Sequence, residues 1–290
     1  MAETRALLGR TIAAKFKIER LLGAGAMGEV YVAEHLSLGK RVVIKVLHAH
    51  LTGDSGIAHR FHREARAASL LDHPNCIHVT DFGEDDGLLY IAMELLSGRD
   101  LLKVIKADHP LPTARIVRLM AQVLGALDEA HDKGVFHRDL KPENVMVSDL
   151  RGQSDFVKVC DFGIAKITSD RDASASAITA IGVVCGTPEY MSPEQARGEE
   201  LDGRSDLYAV ACMLYQMVVG DVPFRAGSAL GVVTRQLLDT PEPPSKKRPE
   251  LSIEPALEAL ILRNLAKDRN QRHASAAEMK AALEAIVQTA

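Results

Sequence analysis

His137-Arg138-Asp139-Leu140-Lys141-Pro142-Glu143-Asn144, followed by Asp161-Phe162-Gly163, is the stretch on which the reading of this chain turns. It sets two metal-seeking groups, Asn144 and Asp161, beside a candidate base, Asp139, and a cation, Lys141. Those are the groups needed to move a phosphoryl group from a nucleotide to a hydroxyl. Each alone is weak, because a lone Asp, Asn or Lys usually belongs to a solvated surface or a cap. In this order and at this spacing the pattern is hard to obtain by chance.

The rest of the chain gives that chemistry a setting. With 290 residues it is long enough for two lobes or two modest domains with substantial cores. It is 47% hydrophobic and 26% charged, with a formal net charge of -4, which argues against a general nucleic-acid binder. Cys76, Cys160, Cys185 and Cys212 are scattered without a CxxC pair and read as free thiols in a reducing compartment. Glu3, Arg5 and Arg10 interrupt any apolar opening, so no signal peptide is expected. The apolar run Tyr208 to Val219, broken by Gln216, is too short for a membrane span and reads as a buried core helix.

The first hundred residues carry β signals. Lys17 to Leu22, Glu29 to Glu34, Arg41 to Leu47 and Leu88 to Glu94 predict strands, the last after a turn at Glu84-Asp85-Asp86-Gly87. A helix over Ala58 to Leu71 interrupts them, with Phe61, Ala65, Ala68 and Leu71 as its apolar stripe. After about Ser97 the pattern is helical: Thr113 to Lys133, a start at Ser192-Pro193-Glu194, and helices near 204–219, 228–238, 254–266 and 275–287. Pro241 to Pro249 reads as a loop. Segment 164–186, rich in Ser, Thr, Ala and Asp, is a long loop of the kind that is usually functional.

Gly23-Ala24-Gly25-Ala26-Met27-Gly28-Glu29-Val30 fits G-x-G-x-x-G-x-V, in which glycines let backbone N–H groups approach phosphate oxygens. A strand follows it rather than a helix, which favours a hairpin over phosphates against a dinucleotide-binding turn. In Val42-Val43-Ile44-Lys45 the lysine lies between apolar neighbours and needs a partner. Glu64, in the middle of the predicted helix, is the expected one.

With these motifs in hand, the chain resembles the eukaryotic-type protein kinases, and most closely their bacterial serine/threonine branch. The likeness covers about residues 10–285 and includes Ser192-Pro193-Glu194, Asp206 and Arg272. It implies an α+β, bilobal protein-kinase fold: a β-rich N-lobe (about 10–96) with one regulatory helix and a mainly helical C-lobe (about 97–287), with ATP in the cleft. Asp139 then takes the substrate hydroxyl proton and Lys141 neutralises the transferring phosphate. Asn144 and Asp161 hold Mg2+. Leu22, the glycine turn, Val30, Val43, Lys45, Glu64, Met93, Glu94, Leu96 and Met146 surround the nucleotide. Met93 falls at the gatekeeper position, and backbone groups of Glu94 and Leu96 meet adenine. Glu194 and Arg272 form a buried ion pair, and Asp206 braces the catalytic loop. Lys141 with Thr187 resembles the serine/threonine rather than the tyrosine class, Thr187 shaping the acceptor pocket.

The resemblance also implies regulation. Arg138, Lys166 and Arg60 gather positive charge that a phosphate on the 164–186 loop would neutralise, and Thr179 is the best-placed acceptor. Val43 stands where the family usually has alanine in the roof of the adenine pocket, which either crowds the base or is absorbed by local adjustment. Protein substrates with Ser/Thr acceptors are expected, with no nucleic acid and no membrane segment in this chain. A homodimer for trans-autophosphorylation and a cytoplasmic location, including that of a cytoplasmic part of a longer membrane-anchored kinase, complete the expectation. The rival readings are a pseudokinase scaffold, against which Lys45, Asp139 and Asp161 all stand, and a small-molecule kinase of related fold, which lacks the Ser192-Pro193-Glu194 segment.

Overall fold

A computed structural model describes residues 7–25, 28–48, 55–150, 152–162 and 187–288, leaving aside the side chains of residues 55, 57 and 60. The chain forms two compact units. The first comprises the described residues up to Asp72 together with Ile77–Ser97. The second takes His73–Cys76 and the described residues from Gly98 onward.

The first unit is a six-stranded antiparallel sheet of β1 (Thr11–Ile12), β2 (Phe16–Ala24), β3 (Gly28–His35), β4 (Lys40–Leu47), β5 (Val79–Asp85) and β6 (Leu88–Glu94), in the order β1-β2-β3-β4-β6-β5. Its register separates two faces, because successive residues of a strand point to opposite sides. Tyr31 opposite Ile44, and Ile44 opposite Ala92, carry one face into a core with Phe16, Ile18, Val46 and Tyr90. Helix α1 (Ser55–Ser69) packs against β5 and β6 and buries Phe61, Ala65 and Ala68 of the expected stripe, while Leu71, the fourth, is buried just past the helix end.

Strand β5 corrects the sequence reading, which placed only a turn at 84–87. The strand continues through Asp85, and the turn is the two-residue Asp86-Gly87, with φ of +48° and +75°. Asp-Gly in left-handed geometry matches the twist of a tight hairpin. The upstream strand Val-Thr-Asp-Phe-Gly-Glu-Asp has few apolar residues and escapes a hydrophobicity test.

The second unit is mainly helical. Helices α2 (Leu101–Asp108), α3 (Thr113–Asp132), α4 (Pro193–Arg197), α5 (Gly203–Val219), α6 (Ala229–Leu238), α7 (Pro244–Lys247), α8 (Pro255–Asn264) and α9 (Ala276–Gln288) follow in order. Helix α5 is its hub and is buried from Ser205 to Val219. Its residues are apolar nearly all round, the pattern of a helix enclosed by others, and α3, α8 and α9 pack on it. Asp202 caps its start by accepting from the Arg204 N–H, and Gly220 at φ +85° ends it.

Two further departures from the sequence reading lie here. The segment after Ser97 is not wholly helical: β7 (Arg99–Asp100), β8 (Val145–Leu150) and β9 (Gln153–Val159) form a small antiparallel sheet. The Pro-rich stretch contains the short helix α7, started by Pro244 at its first turn, where a missing N–H costs nothing.

Candidate active site

On the first unit, the hairpin joining β2 and β3 sets Gly23 opposite Val30 and Ala24 opposite Glu29, and the Gly25 N–H donates to Gly28 O at 2.8 Å. Gly28 is required sterically, since a Cβ there would lie 2.0 Å from Val46 O. Leu22 is half-exposed at the entrance to this turn, and Ala26 and Met27 lie outside the described residues. The second face of the sheet gathers the other expected residues. Val30 is opposite Lys45 and Lys45 opposite Ile91; Val32 is opposite Val43 and Val43 opposite Met93. Strand alternation therefore puts Val30, Val43, Lys45 and Met93 on one side. The Glu94 N–H donates to His78 O at 3.1 Å, so the expectation for Glu94 reduces to its carbonyl. Leu96 lies two residues past the end of β6.

Glu64 departs from expectation. Among the described residues no ion pair joins it to Lys45. Its Oε1 instead lies 3.1 Å from Nη2 of Arg63, the adjacent residue on α1.

On the second unit, a 3-10 turn over Pro142–Asn144 leads from the catalytic segment into β8. Lys141 Nζ lies 2.9 Å from Asp139 Oδ2 and 3.4 Å from Thr187 Oγ1, which brings the candidate base, the cation and the acceptor-side threonine together. The Asn144 amide donates to Asp139 O at 2.8 Å. A carbonyl only accepts, so Nδ2 must face it, and the amide oxygen is turned the other way. The Cys160 N–H donates to Asn144 O at 2.8 Å, which holds Asp161, the next residue, beside Asn144. Met146 lies opposite Asp100 and Lys158 on β8. An amide oxygen and a carboxylate are hard donors suited to Mg2+, and the turned Asn144 amide fits that use.

Arg138 and Asp161 both hold left-handed backbone, at φ +66° and +64°. Such residues cost on the order of 1–3 kcal/mol and persist only where their surroundings dictate it. Asp206 on α5 supplies that constraint: its two oxygens accept the N–H groups of His137 and Arg138 at 2.9 Å each. His131 Nε2 lies 2.8 Å from the same carboxylate. Burial alone would raise the Asp206 carboxyl; His131 and the loop N–H groups outweigh it and hold the group below the usual carboxylate range. On the opposite side, Gln195 Nε2 donates to Arg138 O at 2.6 Å. His137 Nε2 lies 2.8 Å from Cys160 O and so ties the catalytic loop to the Asp161 strand end.

The expected pair Glu194–Arg272 is present and buried, with contacts of 2.7 and 2.8 Å, and Ser205 Oγ donates to Glu194 at 2.7 Å. Sequence reading did not identify His131 or Gln195. Gln195 had a signal, because Ser192-Pro193-Glu194-Gln195 is a capping box, and both of its hydrogen bonds form. Arg269 reaches Glu199 at 2.9 Å and Glu200 O at 2.8 Å.

Arg138 Nε is buried without a hydrogen-bond partner among the described residues. Thr179, Lys166 and Gly163 and the side chain of Arg60, which the regulatory and motif readings invoke, lie outside those residues.

Residues 16–283 match the protein kinase domain family. The serine/threonine-protein kinase pkn3 of Myxococcus xanthus is 53% identical over 285 residues, 98% of this chain and 52% of that protein. The solved kinase domain of PknI from M. tuberculosis is 31% identical with a TM-score of 0.73, over 97% of this chain and 98% of that one. Rad53 1–466 in complex with AMP-PNP is 25% identical with a TM-score of 0.74, over 92% of this chain and 64% of that one. The chain belongs to the protein kinase family, and its fold is the bilobal one expected from the sequence. It spans about half or less of the length of the curated relatives it matches. No helix among the described residues is long and apolar enough to cross a membrane.

Proposed function

We propose that this chain is the catalytic domain of a serine/threonine protein kinase, transferring the γ-phosphoryl group of ATP to Ser or Thr hydroxyls of proteins. The observation that carries the reading is the position of Lys141 Nζ between Asp139 and Thr187, at 2.9 and 3.4 Å. A carboxylate that orients a hydroxyl and takes its proton is thereby set beside a cation able to meet the moving phosphoryl charge. In the step, the acceptor oxygen bonds to the γ-phosphorus, its proton passes to Asp139, and the bond to the β–γ bridging oxygen breaks to release ADP. Asn144 and Asp161 would hold Mg2+, which when bound offsets phosphate charge. Leu22, the glycine turn with Ala26 and Met27, Val30, Val43, Lys45, Glu64, Met93, Glu94, Leu96 and Met146 are proposed for the nucleotide.

Relatives named serine/threonine-protein kinases support the hydroxyl class, and the Rad53 complex with a nucleotide analogue supports ATP. We place the N-lobe at about 10–96 and the C-lobe at about 97–287, in a cytoplasmic domain that phosphorylates Thr179 of a second copy. The phosphate would engage Arg138 and Lys166.

Incubation with ATP, magnesium and a generic protein substrate, beside Asp139→Asn, tests the reading. Phosphoserine and phosphothreonine should form, and the variant should lose about 10²- to 10⁴-fold in rate, as for other general bases, while still binding nucleotide. Nucleotide binding without transfer by the parent protein would instead establish the pseudokinase alternative.

A further inference from the structure

Helix α6 turns Val232, Val233 and Gln236 inward. The first two are ordinary core residues; the third is an amide with no exposed surface. A buried amide is costly unless its donors and acceptor are matched, and here they are. Gln236 Oε1 accepts from the Tyr208 hydroxyl at 2.5 Å, and Nε2 donates to Pro188 O at 3.2 Å and Glu189 O at 2.8 Å. The orientation is forced, since both carbonyls can only accept.

Tyr208, fully buried on α5, is held in turn. The Arg272 guanidinium lies 4.9 Å from its ring centroid, and Lys267 Nζ lies 3.3 Å from its hydroxyl. The two carbonyls belong to the 3-10 turn Pro188–Tyr190, and the turn follows Thr187 directly. The far end of the turn is also tied, by the Tyr190 hydroxyl donating to Gln216 at 2.6 Å. A continuous set of contacts thus runs from Tyr208 through Gln236 to the backbone beside Thr187, and from Thr187 through Lys141 to Asp139.

We propose that Gln236, oriented by Tyr208, is a positioning residue for the protein acceptor: it fixes the 187–190 backbone beside which the phosphorylated residue is presented. This rests on the kinase reading above and deepens it. Gln236 touches neither Asp139 nor Lys141 through any bond of its own, so its effect is on acceptor binding and not on the nucleotide.

The test is Gln236→Met, of similar volume but without donors, assayed with peptide and ATP varied separately. The acceptor KM should rise about tenfold, the scale of one or two lost buried hydrogen bonds, while the ATP KM changes less than about twofold. Tyr208→Phe should act in the same direction and less strongly. The double variant should be no worse than Gln236→Met alone, because the hydroxyl acts through the amide. If Gln236→Met does not fold, Tyr208→Phe carries the same split. Equal rises in both KM values with a lowered Tm, or an unchanged acceptor KM, overturn the proposal. Hydrogen exchange at the Tyr190 and Met191 amides gives a readout independent of activity. Faster exchange there and not elsewhere in the second unit upholds the role even if the parent transfers no phosphate, a result that would remove only the kinase reading. Unchanged exchange overturns it.

Discussion

Asp206 accepts the Arg138 N–H at 2.9 Å, and Arg138 keeps a left-handed backbone at φ +66°. A helix-borne carboxylate thus dictates the shape of the loop that presents Asp139. Asp206→Asn replaces one acceptor oxygen with an NH2 group that cannot receive the second loop N–H. Misplacing a reacting group by about 1 Å costs about 10²-fold in rate. The expected result is a fall in kcat of that order with little change in ATP KM, read from steady-state kinetics.

Among the described residues the ion pair of Glu64 is with Arg63, at 3.1 Å. The proposed kinase reading pairs Lys45 with Glu64, and on that reading Arg63 would compete for the carboxylate. Its ion pair is of the kind worth about 0–1 kcal/mol. Arg63→Ala should therefore raise kcat/KM for ATP by no more than about fivefold, whereas Glu64→Ala should lower it. A fall with Arg63→Ala would show that the guanidinium does not compete.

Acid should unfold the second unit through Glu194 and Asp206. Burial pushes the Glu194 carboxyl up, and bonds from Arg272 and Ser205 outweigh it, leaving both carboxyls below their ordinary values. A depressed carboxyl contributes its full stability above its unfolded pKa, about 4. That contribution is lost as the pH falls through the folded-state value. Urea titrations should show stability falling below about pH 4. Glu194→Gln should lose about 3–5 kcal/mol at neutral pH, because Arg272 is left buried and unpaired, and should show a shallower acid limb.

Thr179→Ala should remove one phosphate from the 164–186 loop and lower activity about tenfold, if the phosphate supplies a charge-assisted contact to Arg138, whose Nε has no partner among the described residues. Mass spectrometry of the loop, paired with rates before and after phosphatase treatment, reads both effects. Full activity with an unchanged phosphate count would exclude Thr179.

The residues proposed for the reaction chemistry were legible because they sit in one short run, Asp139, Lys141 and Asn144, and the glycine turn announces a backbone that must come close. Helices α3 and α5 were legible from long apolar patterns. The strands β5, β8 and β9 were not, because β5 is half polar and the other two interrupt a largely helical region. The supporting residues were hidden for another reason. His131 and Gln236 act on partners far away in the sequence, and a lone polar residue in an apolar stripe gives no sign of which distant carbonyl or carboxylate it will meet. The Arg63–Glu64 contact is a competition between neighbouring rotamers, which residue order does not decide.

Glu194 and Arg272 are separated by 78 residues, and neither has exposed charge to spare once folded. On a ribosome, at about 5–20 residues per second, the glutamate emerges roughly 4–16 s before the arginine that completes it. The nascent chain thus carries Asp139 and its neighbours for several seconds while Glu194 lacks Arg272, its partner in the folded chain. Synthesis order therefore delays the assembled enzyme until nearly the entire domain has been made.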